Sequence, residues 1–312
     1  MNLNHWRHFL TVAEVRSLTG AADRLGVPQP VLSRKMRDLE ATLGNALFTR
    51  HARGMSLTPS GEVFRRRAEA ILRDIARLPA EIAGGNHLEA GALSLGMPPS
   101  MAGTLTGPLI AQFRQRFPRV QLHLREATSI GIRNGLLSRE LDLGVLSTPL
   151  IEPQLALQAL IEEPMVLVGP PDCDLDPARP ATTAEVAALP LILARRPNST
   201  RIILEHAMES IGLAPNIVVE IDNAPIGDLI RRGLGYSVLP SCFLASHRHH
   251  QLRYAPVRGL WIGWMIGSLR NLPMIPAAQR MTDMMLAMIA EPGDWPLWTD
   301  ETLRQGLRGL AL

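Results

Sequence analysis

Hydrophobic positions fall into three rhythms along the chain, and each predicts a different kind of structure. Over residues 1 to 58 they recur in short bursts at spacings of three and four, broken by turn residues. Trp6, Phe9, Leu10 and Ala13 form a first helical stripe. Ser17 is suited to cap a second helix carrying Ala21, Ala22 and Leu25, and Gly26 to stop it. At 100° per residue, Leu32, Met36 and Leu39 gather on one side of a third helix. On another side Gln29, Ser33 and Arg37 form a row at steps of four, with Pro30 and Arg34 beside it. Pro28 and Pro30 fall where this helix begins, a place where a missing N–H costs little. Helix, short glycine turn, then a helix with a polar face is the helix-turn-helix pattern. In that motif the N-terminal residues of the second helix enter the DNA major groove.

The second rhythm begins after a predicted hairpin. In "LFTRHARGMSLT", residues 47 to 58, two apolar stretches flank Ala52-Arg53-Gly54, which places Arg50 and Arg53 near a tip able to lie along phosphates. Thr58 then caps, and Pro59 opens, one long helix to about residue 83. Phe64, Ala68, Ile71, Ile75, Leu78 and Ile82 are spaced alternately four and three, a heptad seam and so a candidate dimer interface. The alternative is an amphipathic helix lying on its own domain. Pro79 is expected to kink or restart the helix, and Gly84-Gly85 to provide a hinge. From Gly84 onward the third rhythm alternates strand-like and helical runs, the signature of an α/β domain.

Charge sharpens this division. Residues 1–88 hold 13 Lys and Arg against 8 Asp and Glu, whereas the remainder holds 19 against 21. A basic head on a near-neutral body points to a polyanionic partner for the head alone. The first 30 residues contain five charges and no apolar core of a signal peptide, and the uncharged run 259–269 is too short to span a bilayer. A cytoplasmic protein is expected. Cys173 and Cys242 are far apart, in no paired motif, and suggest neither a disulfide framework nor a metal site.

The strings "SLTGAADRLGVPQPVLSRKMRDLEATLGNALFTR" and "LTPSG" resemble the LysR-type transcriptional regulators. The shared features are paired alanines in the second helix, a QP-then-S recognition helix, an LE…LG…LF.R run, and LT..G entering the linker. They stand in fixed order over about 60 residues. The resemblance continues more loosely to about residue 290 through "GALSLGMPPS", "FPRVQLHLRE", "LDLGVL" and "GLGYSVLP". The recognition segment and "RGMSLT" are similar to the subgroup that includes nitrogen-assimilation control proteins. One position departs: Pro28 stands where the family often caps with Ser or Thr, losing about 1 kcal/mol that stiffening by two prolines offsets.

The resemblance implies an α + α/β architecture. A winged helix-turn-helix spans 1–58, and a linker and dimerisation helix with its hinge spans 59–90. A two-lobed, periplasmic-binding-protein-like (type 2) effector domain spans 91–292, with lobe I from 91–162 and 266–292 and lobe II from 163–265. Residues 293–312 form a C-terminal extension. By position, Gln29, Pro30 and Ser33 are expected in the groove, Arg34 on a phosphate, Arg37 on a base or a phosphate, and Arg50 and Arg53 along the phosphate backbone. Four helix starts carry polar or small residues: Pro99-Ser100-Met101, Thr128-Ser129, Asn198-Ser199-Thr200 and Asp222-Asn223. Helix N-termini suit an anion, and in the family such segments line the cleft. Ser100, Met101, Thr128, Ser129, Ser199, Thr200 and Asn223 are therefore the candidate effector residues, with Arg125 and Arg201 as anion partners. Taken singly, each segment reads equally well as an ordinary cap, and Met101 as core.

The remaining chemistry-bearing strings carry little. "HRHH", residues 247–250, lacks neighbouring carboxylate or cysteine ligands, so no metal is expected. "GLGYSVLP" lacks the third glycine of a dinucleotide fingerprint, and no GxSxG elbow occurs. The expected function is a sequence-specific regulator of transcription without cofactor, neither enzyme nor membrane protein. Its expected partners are double-stranded operator or promoter DNA, a small anionic effector, further copies in a homodimer or homotetramer, and RNA polymerase. The alternatives are a cytoplasmic α/β enzyme or small-molecule-binding protein with a helical oligomerisation arm, and a solute-binding protein for transport.

Overall fold

A computed structural model of the chain describes residues 2–51, 54–82, 91–150, 152–222, 225–246 and 251–290. The expected hinge at Gly84-Gly85, the histidine string 247–250 and the C-terminal extension lie outside the described residues. The chain divides into an N-terminal unit and a larger α/β unit. Among the described residues, no helix is long and apolar enough to cross a membrane.

The N-terminal unit opens with α1 (Leu3–Val15), α2 (Leu18–Leu25) and α3 (Gln29–Leu43). Ser17 caps α2 by accepting from the Gly20 amide, and Gly26 ends it in the left-handed conformation. Pro28 precedes α3 without a side-chain cap, as its sequence implies, and its carbonyl accepts from Val31 and Leu32 at 3.0 and 3.1 Å. Phe9, Val12, Ala21, Ala22, Leu32, Met36 and Leu39 fill the core between the three helices. The hairpin follows as β1 (Phe48–His51) and β2 (Gly54–Leu57), paired antiparallel with His51 opposite Gly54. Helix α4 (Pro59–Ile82) continues past Pro79 as one element and does not restart there. Its start is fixed by Thr58, whose hydroxyl accepts from the Gly61 amide at 3.0 Å.

The α/β unit comprises β3 (Gly91–Met97), α5 (Pro99–Met101), a π-helical turn Ala102–Thr106, α6 (Gly107–Arg116), β4 (Val120–Glu126), α7 (Ser129–Leu137), β5 (Leu143–Ser147) and β6 (Leu155–Gly169). It continues with α8 (Thr183–Ala187), β7 (Leu191–Ala194), α9 (Ser199–Glu209), β8 (Ile217–Ile221), α10 (Ile226–Arg231), β9 (Ser237–Pro240), α11 (Cys242–Ser246), β10 (Arg253–Leu269) and α12 (Pro276–Ala290). Strands lie in the order β4-β3-β5-β10-β6-β9, with β7 and β8 paired separately and β7 bridged to Tyr236 just before β9. Because helices cover both faces, interior strands read as continuous apolar runs: every residue of β5 is buried. Met281, Met284, Met285 and Met288 of α12 pack into this core, filling irregular space with flexible side chains.

The long strands β6 and β10 run antiparallel through both halves of the unit. Leu155 pairs with Leu269 at one end and Gly169 with Arg253 at the other. Strand β5 pairs only with residues 264–267 of β10, and β9 only with 165–168 of β6. Two sheet halves therefore share one pair of strands, changing over near residues 163 and 262.

Gly61 shows how closely the N-terminal unit is packed. A Cβ there would lie 2.1 Å from the Leu47 carbonyl oxygen, a backbone atom that cannot swing away. Gly61→Ala is expected to destabilise this unit by about 1–3 kcal/mol. Amide exchange across residues 3–57 measures the effect; wild-type rates would show that α4 and the hairpin separate freely.

Candidate DNA interface and effector site

In α3 the two faces separate as the spacing predicts. Leu32, Met36 and Leu39 are buried, while Gln29, Pro30, Arg34 and Arg37 are exposed and Ser33 is half-buried. Val31 is 43% exposed, an apolar side chain on the leading turn that the sequence pattern did not single out. Arg50 is exposed on β1. Arg53 lies outside the described residues.

The dimerisation seam needs correction. The Phe64 ring sits edge-on to Trp6 and Phe9, at centroid distances of 5.5 and 4.9 Å, and Ala68 is fully buried in the same core. Both are spent inside their own unit, as an amphipathic helix on its own domain requires. Heptad spacing alone does not say which surface it faces. Ile71 is 39% exposed and Ile75 half-buried, so neither is spent in that core as Phe64 and Ala68 are; the side chains of Leu78 and Ile82 lie outside the described residues.

Strand directions bring the candidate effector segments to a common level. Strands β3, β4 and β5 are parallel, and β5 advances along β10 toward the changeover. From the other side, β9 advances along β6 toward the same level, and β7 and β8 run parallel to it. The carboxyl ends of both sets of strands converge there, where open α/β sheets bind ligands. Three of the four predicted segments follow strands of these sets: 99–101 after β3, 128–129 after β4, and 198–200 after β7. Asp222 follows β8, whereas Asn223 lies outside the described residues.

Individual side chains behave less uniformly. Met101 is fully buried in the main core, so it is a packing residue. Ser129 is buried and bonded to Ser147, hydroxyl to hydroxyl at 2.7 Å, and it also accepts from the Ser147 amide at 2.9 Å. Its oxygen is thus committed to joining α7 to β5, which corrects its assignment as a ligand contact. Thr128 is exposed and caps α7 through the Gly131 amide at 3.3 Å. Asn198 is the cap of α9, accepting from the Arg201 amide and the Thr200 hydroxyl, while Ser199 and Thr200 remain half-exposed. Arg201 is 8% exposed and held by Glu205, Glu220 and the Ala194 carbonyl, so its charge is neutralised within the fold. Arg125 is exposed at the end of β4.

At the changeover itself lies a group without a sequence signal. Glu163 is 1% exposed. One carboxylate oxygen accepts from the Ser241 hydroxyl and the Cys242 amide at 2.5 and 2.6 Å; the other accepts from the Trp264 indole at 2.5 Å. Burial together with the nearby Glu163 carboxylate pushes the Cys242 thiol well above its ordinary range. The Thr104 hydroxyl donates to the Cys242 carbonyl at 2.9 Å. Glu163 is thereby linked through α11 to the segment that carries Ser100. Among the described residues, no lysine, arginine or histidine is bonded to it; burial raises its pKa, and the three donors oppose the shift.

Residues 86–290 match the family described as the LysR substrate binding domain, and residues 3–62 that of bacterial regulatory helix-turn-helix proteins, lysR family. The chain belongs to the LysR family. Its relatives include the HTH-type transcriptional regulator BbuR of Bordetella bronchiseptica, 30% identical over 92% of this chain and 91% of that protein. The nitrogen assimilation regulatory protein nac of Escherichia coli is 27% identical over 94% and 96%. The fold is shared with CbnR, a LysR family transcriptional regulator: TM-score 0.71, 21% identity, over 93% of this chain and 100% of that one. A full-length OxyR variant from Pseudomonas aeruginosa gives 0.68 at 24% identity, over 91% and 94%. This LysR protein is a DNA-binding regulator of transcription with an effector-binding domain, in a family of regulators rather than enzymes.

For Glu163 the linkage has a definite sign. The folded protein holds this proton to higher pH than the unfolded chain, whose glutamates titrate near 4.5. The stability this gives is complete below that value and is lost as pH rises through the raised folded value. Glu163→Gln does not ionise, so its urea-unfolding midpoint is expected to fall less steeply than the wild type's as pH rises above 4.5. Parallel pH profiles would assign Glu163 an ordinary pKa.

Proposed function

We propose that this LysR regulator reads operator DNA through the leading turns of α3 and answers to a small anionic effector bound where the strand ends converge. The observation that carries the reading is the exposed row beginning at Gln29, opposite the buried Leu32, Met36 and Leu39, on the second helix of a helix-turn-helix. Gln29 offers an amide able to bond adenine bidentately, and Ser33 a hydroxyl that bonds several base edges. Pro30 and Val31 supply apolar surface for a thymine methyl. Arg34 and Arg37 bond bases or phosphates, and Arg50 with Arg53 follows the backbone from the wing. Supporting this, a structure of full-length CbnR complexed with its target DNA has a TM-score of 0.71 at 22% identity.

The effector would lie between lobe I, residues 91–162 and 266–292, and lobe II, residues 163–265, against Ser100, Thr128, Ser199, Thr200 and Asn223. Amides at the starts of α7 and α9 favour a carboxylate or similar anion. Two-fold operators call for two copies, joined through α4 from Ile71 to Ile82, and a homotetramer pairs two such dimers. RNA polymerase is the partner through which bound regulator acts, and DNA as a partner places the protein in the cytoplasm. An effector acts only by its differential affinity for two assembly geometries.

A mobility-shift assay on DNA upstream of the gene tests this directly. Gln29→Ala is expected to weaken operator binding by about 1–3 kcal/mol and leave random-sequence binding unchanged. Equal losses on both DNAs would remove Gln29 from base reading, and no salt-sensitive shift for the wild type would overturn the DNA-binding assignment.

A further inference from the structure

We propose that Glu40 is a positioning residue for DNA binding, which fixes the wing to the recognition helix so that one rigid body meets both groove and backbone. Glu40 lies eleven residues beyond Gln29 on the same helix, α3, and does not belong to the reading row. Its Oε1 accepts from the backbone amides of Leu47 and Phe48, at 2.8 and 3.2 Å. Those two amides open the hairpin, and Phe48 is the first residue of β1.

The same short stretch is held from its other side. The Leu47 carbonyl accepts from the Thr58 amide at 3.0 Å, and the Ala46 carbonyl from the Thr58 hydroxyl at 2.7 Å. Gly61 leaves room for this approach, and the Leu47 side chain is buried. Residues 46–48 are therefore clamped between α3 and the start of α4, with the Glu40 carboxylate closing the clamp on the α3 side. The far end of the wing is tied separately, by the Met55 amide to the Arg16 carbonyl at 2.9 Å. A hairpin of two four-residue strands is marginal by itself, so its direction depends on such ties. Without Glu40, two amides lose their acceptor and the strand carrying Arg50 is freed at its root.

The consequence is specific to binding. A wing that wanders makes fewer phosphate contacts, and each lost contact flattens the dependence of log affinity on log salt by about one. A merely structural residue would lower the fraction of active protein and leave that slope unchanged. The inference rests on the proposed phosphate contact of the wing, and the wild-type slope tests that part by itself.

The test is binding of the full-length protein to a random-sequence duplex over a salt series. Glu40→Ala is expected to flatten the slope by about one to two. Glu40→Gln keeps an oxygen at the same reach and should retain the wild-type slope. Glu40→Asp keeps the charge but is shorter by about 1.5 Å, and should flatten the slope as alanine does; it serves where the alanine variant does not fold. Exchange of the Leu47 and Phe48 amides should rise in the alanine and aspartate variants only. Unchanged slopes in both, or tighter binding by alanine and glutamine alike through simple loss of negative charge, would overturn the proposal. A wild type with no salt dependence would overturn the DNA-binding reading along with it.

Discussion

The antiparallel ladder between β6 and β10 is the constraint on which the α/β unit depends. Every other strand of the six-stranded sheet joins one half or the other, whereas these two run through both. Because β5 and β9 advance along them from opposite ends, the carboxyl ends of both parallel sets are forced to one level. Helix starts with unpaired amides then gather there as a result of topology, without any one of them being specialised for a ligand. That is why single caps carried little weight in the sequence, and why their common position carries more.

The same reasoning explains what was legible and what was not. The helices of the N-terminal unit were readable because local chemistry sets them: Ser17 caps, Gly26 and Gly44 end helices at positive φ, and the apolar spacing of α3 matches its burial. The heptad in α4 was readable as a stripe but not as an interface. Phe64 and Ala68 meet the three-helix core, and nothing in a spacing of four and three distinguishes an intramolecular partner from a second copy. Met101 and Ser129 were ambiguous for a related reason. Both stand at helix starts, yet one is buried in the main core and the other is bonded to Ser147, 18 residues away. Glu163 had no signal at all: its partners Ser241, Cys242 and Trp264 lie 78, 79 and 101 residues away and come together only through β-sheet pairing.

Many of the residues that made the family resemblance visible are those that hold the N-terminal unit together. Glu40, Leu47, Phe48, Thr58 and Gly61 belong to "LE", "LF" and "LTPSG", and the structure joins them in one clamp. The exposed Gln29 and half-buried Ser33, by contrast, stand on the outer face of α3 and take no part in that clamp. Family identity is therefore written mainly in residues that fix backbone geometry.

Glu163 brings the two halves of the effector unit into one chemical argument. A buried carboxylate is costly unless it is hydrogen-bonded, and its three donors come from β10 and the β9–α11 junction. Shifting α11 would lengthen two of those bonds together with the Thr104 bond to the Cys242 carbonyl. A displacement of the segment carrying Ser100 and Thr104 would therefore be transmitted through Cys242 to Glu163, and the reverse.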